Sequence, residues 1–199
     1  MPVDSAPTNL TNHFLIAMPS LQDDLFSRSV VYLCEHGLHG AMGLVINKPC
    51  GINIKGLFDQ VDLPLQRTDL TTAPVFVGGP VQIERGFVLH EPIFDQAHKP
   101  INSVFTSTLS IPGGLEMTTS KDILDALSTG SGPRQVLISL GYSAWGQGQL
   151  ESELSDNSWL TVVADRRLIF DTPVAQRWTA ALQLLGLQAW MISPDVGHA

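Results

Sequence analysis

The sequence predicts a single α+β domain, rich in strands, with about four helices around them. Three observations predict it. Short runs of β-branched and aromatic residues recur along most of the chain, each bounded by Gly, Pro, Asn or Ser. A few separate segments instead show helical spacing of apolar residues. No low-complexity linker, internal repeat or heptad run divides the 199 residues, which suit one domain with a sizeable core.

The elements follow in order. Residues 1–12 are polar and predict a flexible N-terminal segment, with the folded domain over 13–192 and a tail over 193–199. "HFLIAMP" predicts a buried strand stopped by Pro19, and "SVVYLCEH" a second strand. "GLHGAMGLVINKP" predicts a glycine turn and a return strand over Met42 to Ile46, making a hairpin. "NIKGLFDQV" spaces Ile54, Leu57, Phe58 and Val61 as a short amphipathic helix. "PVFVGG", "GFVLH", "VFTSTLSI" and "LEMTTS" predict four more strands, with a surface loop over 91–102. Ser120 is placed to cap a helix, "KDILDALST", that Gly130 closes. "RQVLISLGY" predicts a strand, "QLESEL" a short helix and "SWLTVVAD" another strand. Thr172 and Pro173 are placed to start the last helix, whose stripe is Val174, Trp178, Ala181, Leu182 and Leu185 and whose end is Gly186.

Composition bounds the function. The chain is 44% hydrophobic and 15% charged, with net charge -8. Only 11 residues are Lys or Arg, and the one adjacent basic pair is Arg166-Arg167, so no basic patch is visible and direct nucleic-acid binding is disfavoured. The N-terminal stretch lacks the basic and apolar regions of a secretory signal, and the apolar run Phe14 to Met18 is too short to span a membrane. A cytoplasmic protein with two reduced thiols is expected, Cys34 buried in a strand and Cys50 the more reactive in a loop.

Three stretches carry candidate chemistry. "LGYSAWGQGQLE" resembles a nucleophile elbow around Ser143, but Trp145 stands where the strained turn needs a small residue. It also resembles a dinucleotide turn, but Glu151 replaces the third glycine and the helix is short for a parallel crossover. "CEHGLHG" offers Cys34, Glu35, His36 and His39 as metal ligands, with His90 as a possible fourth, although strand alternation turns Glu35 away from Cys34 and His36. In "VGGPVQIERGFVLH" Arg85 could clamp a carboxylate or phosphate, with His90 at the strand's end. No cofactor and no bound metal is expected.

Taken together, "FLIAMPSLQDDLFSRSVVYLCEHGLHGAMGLVINKP", "VFVGGPVQIERGFVLH" and "LGYSAWGQGQLESEL" followed by "SWL" resemble the AlgH/YqgE family of bacterial proteins over nearly the whole chain. The resemblance implies a bent, branching, partly barrel-like β-sheet, antiparallel-rich and surrounded by helices. It implies no reaction. It does bring a transcriptional-regulator label, which the acidic charge does not support for direct DNA contact. His39 and Cys50 fall outside the family's pattern.

These readings lead to one expectation: a non-enzymatic protein that binds a small ligand or a protein partner. Its expected site comprises Asn47, Arg85, His90, Tyr142, Trp145, Gln149 and Glu151, residue types that make recognition contacts. Two alternatives stand beside it. One is a hydrolase-like enzyme with His36 or His90 as base near Ser143 or Glu151. The other is a regulator acting through a protein partner.

Overall fold

The computed structural model describes residues 9–101 and 104–192. Within them, strands and five α-helices form one α+β domain built on a curled ten-stranded sheet, a half-barrel. The first strands are β1 (His13–Ala17), β2 (Val30–Gly37) and β3 (Gly40–Val45). β4 (Pro49–Asn53) leads into α1 (Ile54–Gln60), where the Asn53 side chain accepts from the Gly56 amide and caps the helix. β5 (Pro74–Val77), β6 (Val81–His90) and a small hairpin of β7 (Ile93–Phe94) and β8 (Pro100–Ile101) follow. Then come β9 (Thr108–Ile111), β10 (Leu115–Thr118), α2 (Asp122–Ser128) and β11 (Val136–Trp145). The chain ends with α3 (Gln149–Ser155), β12 (Trp159–Val163), α4 (Arg166–Phe170) and α5 (Arg177–Leu184).

The strand order is β12-β1-β2-β3-β11-β6-β10-β9, with β5 branching off against β11 and β4 against β5. All neighbours on the main path are antiparallel, and only β5 runs parallel to β11. β11 is the spine. Residues 136–142 pair with β6, and residues 143–145 pair with β3.

The apolar pattern explains the branch. In β1, Phe14 and Ile16 face one core, while Leu15 and Ala17 face another. In β2, Val30, Tyr32 and Cys34 face the first core, and Val31 and Leu33 the second. Side chains alternate across a strand, so a continuous apolar run marks a strand covered on both faces. The inner core runs the length of the half-barrel and is covered by α4 and α5 through Leu168, Ile169, Trp178 and Leu182. The outer face is divided. α3 covers the β1–β3 half through Leu150, and α1 and α2 cover the β6–β11 half through Ile54, Phe58, Ile123 and Leu127.

Several expectations shift in detail. β11 continues to Trp145 instead of turning after Tyr142, because it changes partner from β6 to β3 without breaking. The expected 91–102 loop contains the β7–β8 pairing over its described residues. Ser120 donates its hydroxyl to Asp122 Oδ1, and the helix opens after Lys121. Thr172 donates to Arg167 O, and Pro173 precedes a single 3-10 turn, so the last helix begins only at Arg177. α4 lies in a stretch too short to show a periodicity. Its start is fixed by Asp165, whose carboxylate accepts from the Arg167 amide. Of the expected N-terminal segment only residues 9–12 are described. The C-terminal tail lies outside the described residues.

At the branch point two backbones touch. A Cβ added at Gly78 would overlap Gly141 O, and one added at Gly79 would overlap the Tyr142 carbonyl. Gly86, by contrast, faces open space. Gly78→Ala is therefore expected to cost about 3 kcal/mol or more, as an overpacked site that cannot relax. Gly86→Ala should change stability by less than about 1 kcal/mol. Urea denaturation of the two variants measures both.

Candidate functional site

The three sequence motifs converge, and they converge at the branch point. The Gly78 carbonyl accepts from the Val45 amide at 2.9 Å and from Ser143 Oγ at 3.1 Å. The Gly78 amide donates to Leu140 O at 2.9 Å. One residue of the second motif thus joins the first motif to the third. Asn47 extends the junction: its Oδ1 accepts from the Val30 amide at 2.8 Å and its Nδ2 donates to Arg28 O at 2.9 Å. Both ends of that amide are engaged with backbone. Tyr142 is half-buried, with its ring centre 5.2 Å from that of Phe87.

Ser143 is wholly buried and hydrogen-bonded to Gly78 O, so it presents no nucleophile. The dinucleotide reading fails on topology. β12, which follows α3, lies beyond β3, β2 and β1 from β11, so no βαβ unit forms around the glycines. Gly148, at φ 73, serves instead as the left-handed residue that opens α3.

Trp145 and Gln149 belong to an internal network. Trp145 Nε1 donates to Glu153 Oε2 at 2.9 Å and Trp159 Nε1 to the same oxygen at 2.8 Å. Gln149 Nε2 donates to Glu153 Oε1 at 3.0 Å, and Gln149 Oε1 accepts from the Gly146 amide. The two indoles meet edge to face, with Phe26 against both. Trp145 is 5% exposed. Its indole anchors α3 to the sheet.

On the next face of α3, Glu151 Oε1 meets His36 Nε2 at 3.0 Å. The Leu10 amide donates to His36 Nδ1 at 3.0 Å, which leaves that nitrogen unprotonated. The proton of the neutral ring therefore sits on Nε2 and is donated to Glu151. This satisfies the proximity expected of a base beside Glu151, but both ring nitrogens are engaged and neither offers a free lone pair. The Glu151 side chain is 46% exposed and borders an open pocket with Leu38 and Gln147.

Arg85 and His90 both reach the Thr118–Thr119 end of β10. Arg85 Nη2 donates to Thr119 Oγ1 at 3.0 Å, and its guanidinium lies 5.9 Å from the Phe87 ring centre. Its side-chain partners are neutral, Thr119 and Gln82. His90 is fully buried. Its Nδ1 donates to Glu91 O at 2.8 Å, so Nε2 accepts from Thr118 Oγ1, also at 2.8 Å. Burial pulls its pKa below 6.5, against the Glu91 carbonyl bond and the Glu116 and Glu91 charges.

What lifts Arg85 into solvent is a bulge. Leu140 pairs with Gly86 and Tyr142 with Val81, so Gln82–Arg85 have no partners on β11. All four are exposed, and Ile83 is 62% exposed. Beside them a cleft of about 200 Å³ opens between α1 and α2. Leu57, Val61, Leu124, Ile138 and Leu140 line its apolar wall, Glu84 and Lys121 its rim, and Gly86 leaves its floor bare. The sequence reading missed the cleft, because its lining is assembled from five elements spread over the chain. The lone glycine inside "ERGFVLH" was the one available signal.

Cys34 and Cys50 are both free. Burial pushes the Cys34 thiol far up, which leaves it inert. Among the described residues no group of three or more His, Cys, Asp or Glu is placed to hold a metal, and no helix is long and apolar enough to cross a membrane.

Fold and junction define a class: single-domain α+β proteins whose half-barrel sheet branches at a backbone-on-backbone crossing. A family model described as AlgH-like matches residues 14–190, and the chain belongs to that family. It is 69% identical over the full length of both chains to a UPF0301 protein of Albidiferax ferrireducens, and 68% identical, again over both full lengths, to one of Variovorax paradoxus. The solution structure of the AlgH protein from Pseudomonas aeruginosa is 46% identical, with TM-score 0.75 over 98% of this chain and 99% of that one. A Corynebacterium diphtheriae crystal structure, 16% identical over 89% of this chain and 88% of that one, shares the fold at TM-score 0.68.

Two outcomes follow from the buried groups. Glu153→Ala leaves two buried indole N–H groups unmatched and should cost about 2–4 kcal/mol in urea denaturation. His90 is neutral in the fold, with its folded pKa below the unfolded 6.5. Its contribution to stability is therefore complete above pH 6.5 and is lost as pH falls through the folded value. Between about pH 8 and about pH 5 the wild type should lose more stability than His90→Gln, read from paired urea midpoints.

Proposed function

We propose that the protein is a cytoplasmic binding protein without chemistry of its own, whose ligand seats in the cleft between α1 and α2 against the β6 bulge. The observation that carries this reading is the bulge. It holds the Arg85 guanidinium in solvent on neutral partners, one of which, Thr119, lines an apolar cleft with an unfilled floor. Concave apolar surface with a few convergent polar groups is the usual form of a ligand site. The engaged state of Ser143, His36 and His90 supports binding over catalysis.

Among the residues of the expected site, the geometry favours Arg85 over Trp145, whose ring is interior and whose N–H is taken. The ligand class is a small molecule or a protein segment with an apolar portion and an acceptor group for Arg85. Glu84 beside Arg85 and a net charge of -8 argue against nucleic acid.

A thermal-shift screen against nucleotides, central metabolites and divalent metals tests the reading. A ligand at a hundredfold its Kd adds about 2.7 kcal/mol, a rise of about 5–10 °C for a chain of this size. Gly86→Leu, which fills the cleft, should abolish the rise, and Arg85→Ala should reduce it. Trp145→Ala should instead lower the melting point of the free protein, by about 3–5 kcal/mol of lost packing. A ligand response that persists unchanged in both Gly86→Leu and Arg85→Ala overturns the assignment.

A further inference from the structure

Among the described residues Arg177 is the only buried lysine or arginine, at 6% exposure. It is the first residue of α5, where the positive end of the helix dipole disfavours a cation. Its Nε donates to Thr172 O at 3.0 Å and its Nη1 to Ile46 O. Both partners are neutral carbonyls. No carboxylate among the described residues is paired with it. Burial alone lowers its pKa to about 10, with no nearby acid to hold it up. A buried charge is normally paired, and a guanidinium in particular is shaped for a carboxylate.

The unpaired guanidinium borders a cavity. About 130 Å³ opens between the apolar side chains of Ile54, Pro74, Phe76, Leu137, Ile169 and Phe170, with Arg177 as the charged member. The guanidinium sits 5.2 Å from the centre of the Phe76 ring. This cavity is separate from the cleft of the proposed function. Leu137 lines the cavity, whereas Ile138 and Leu140 line the cleft. An apolar cavity of about 150 Å³ is large enough to take a benzene ring.

We propose that this cavity is a binding site for a small monocarboxylate with an apolar body, such as an aromatic or short-chain acid. The carboxylate pairs with the Arg177 guanidinium, and the hydrocarbon fills the space under Phe76 and Phe170. The ligand supplies the counter-charge that the fold lacks, and the two backbone carbonyls hold the guanidinium in position for it. The apolar side chains around the guanidinium disfavour strongly hydrated anions such as inorganic phosphate, whose desolvation one guanidinium does not offset.

The test uses the full chain and three probes: benzoate, its neutral isostere benzamide, and inorganic phosphate. Titration followed by amide chemical shifts is expected to give saturable benzoate binding at millimolar concentration. The largest shifts should fall on Phe76, Leu137, Ile169 and Arg177. Benzamide should bind about tenfold more weakly or worse, the loss expected when a charge-assisted pair becomes neutral. Phosphate should not bind at this site. Ala73 also lines the cavity, so Ala73→Leu should abolish benzoate binding while the chain still unfolds cooperatively. Arg177→Lys, which keeps the charge and loses the fork, should weaken benzoate without removing it. No saturable benzoate binding, equal affinity for benzamide, or shifts confined to residues outside this lining would each overturn the proposal, with or without the variants.

Discussion

The fold depends on one residue having no side chain. Gly78 takes the Val45 amide and the Ser143 hydroxyl on its carbonyl, and gives its own amide to Leu140. Each bond is worth only about 1 kcal/mol. Their position matters more than their sum. They sit where β11 leaves β6 for β3, so they tie together the two halves of a sheet that would otherwise share a single strand. The outer face can then be divided between α3 on one side and α1 with α2 on the other, while the inner core stays continuous. The bulge at Gln82–Arg85 follows from the same irregularity, because Gly141, at φ 72, turns β11 between its last two pairings with β6.

Much of this was legible in the sequence, for physical reasons that differ by element. β1 and β2 were legible because strands covered on both faces read as unbroken apolar runs. α1 and α3 were legible because their polar faces restore a helical period: Ile54 with Phe58, and Leu150 with Leu154. β4 was not, because "PCGIN" holds a proline and a glycine and leaves much of its length exposed. α4 was not, because one turn and a half carries no period. The start of α5 was misplaced because Pro173 marks a 3-10 turn that precedes the helix.

The site was less legible than the fold. Trp145, Asn47 and Gln149 are residue types that recognise ligands, and the same hydrogen-bonding capacity suits them to hold a backbone or a helix in place. Sequence cannot tell the two uses apart, since both need a donor or acceptor at a fixed place. The family resemblance did not help, because its motifs meet at the crossing. The cleft is built from Leu57, Gly86, Lys121 and Leu124, residues unremarkable one by one. Arg177 left a clearer trace. It falls within the apolar stripe of the last helix, three residues after Val174 and four before Ala181, where a cation has no reason to be unless something inside the fold meets it.

The crossing at Gly78, Gly79 and Gly141 also bears on how kinship among such chains should be read. Where backbone meets backbone, a substitution cannot be offset by trimming a neighbour, because the neighbour has no side chain to trim. Drift at those three positions is closed off whatever the protein binds. Two chains can therefore carry the same signature while holding quite different molecules, and a shared signature reports common architecture and nothing about cargo. Divergence in role has room elsewhere: in the four residues of the bulge, in the facing sides of α1 and α2, and at Arg177. Those are the positions by which members of this family should be sorted into functional groups.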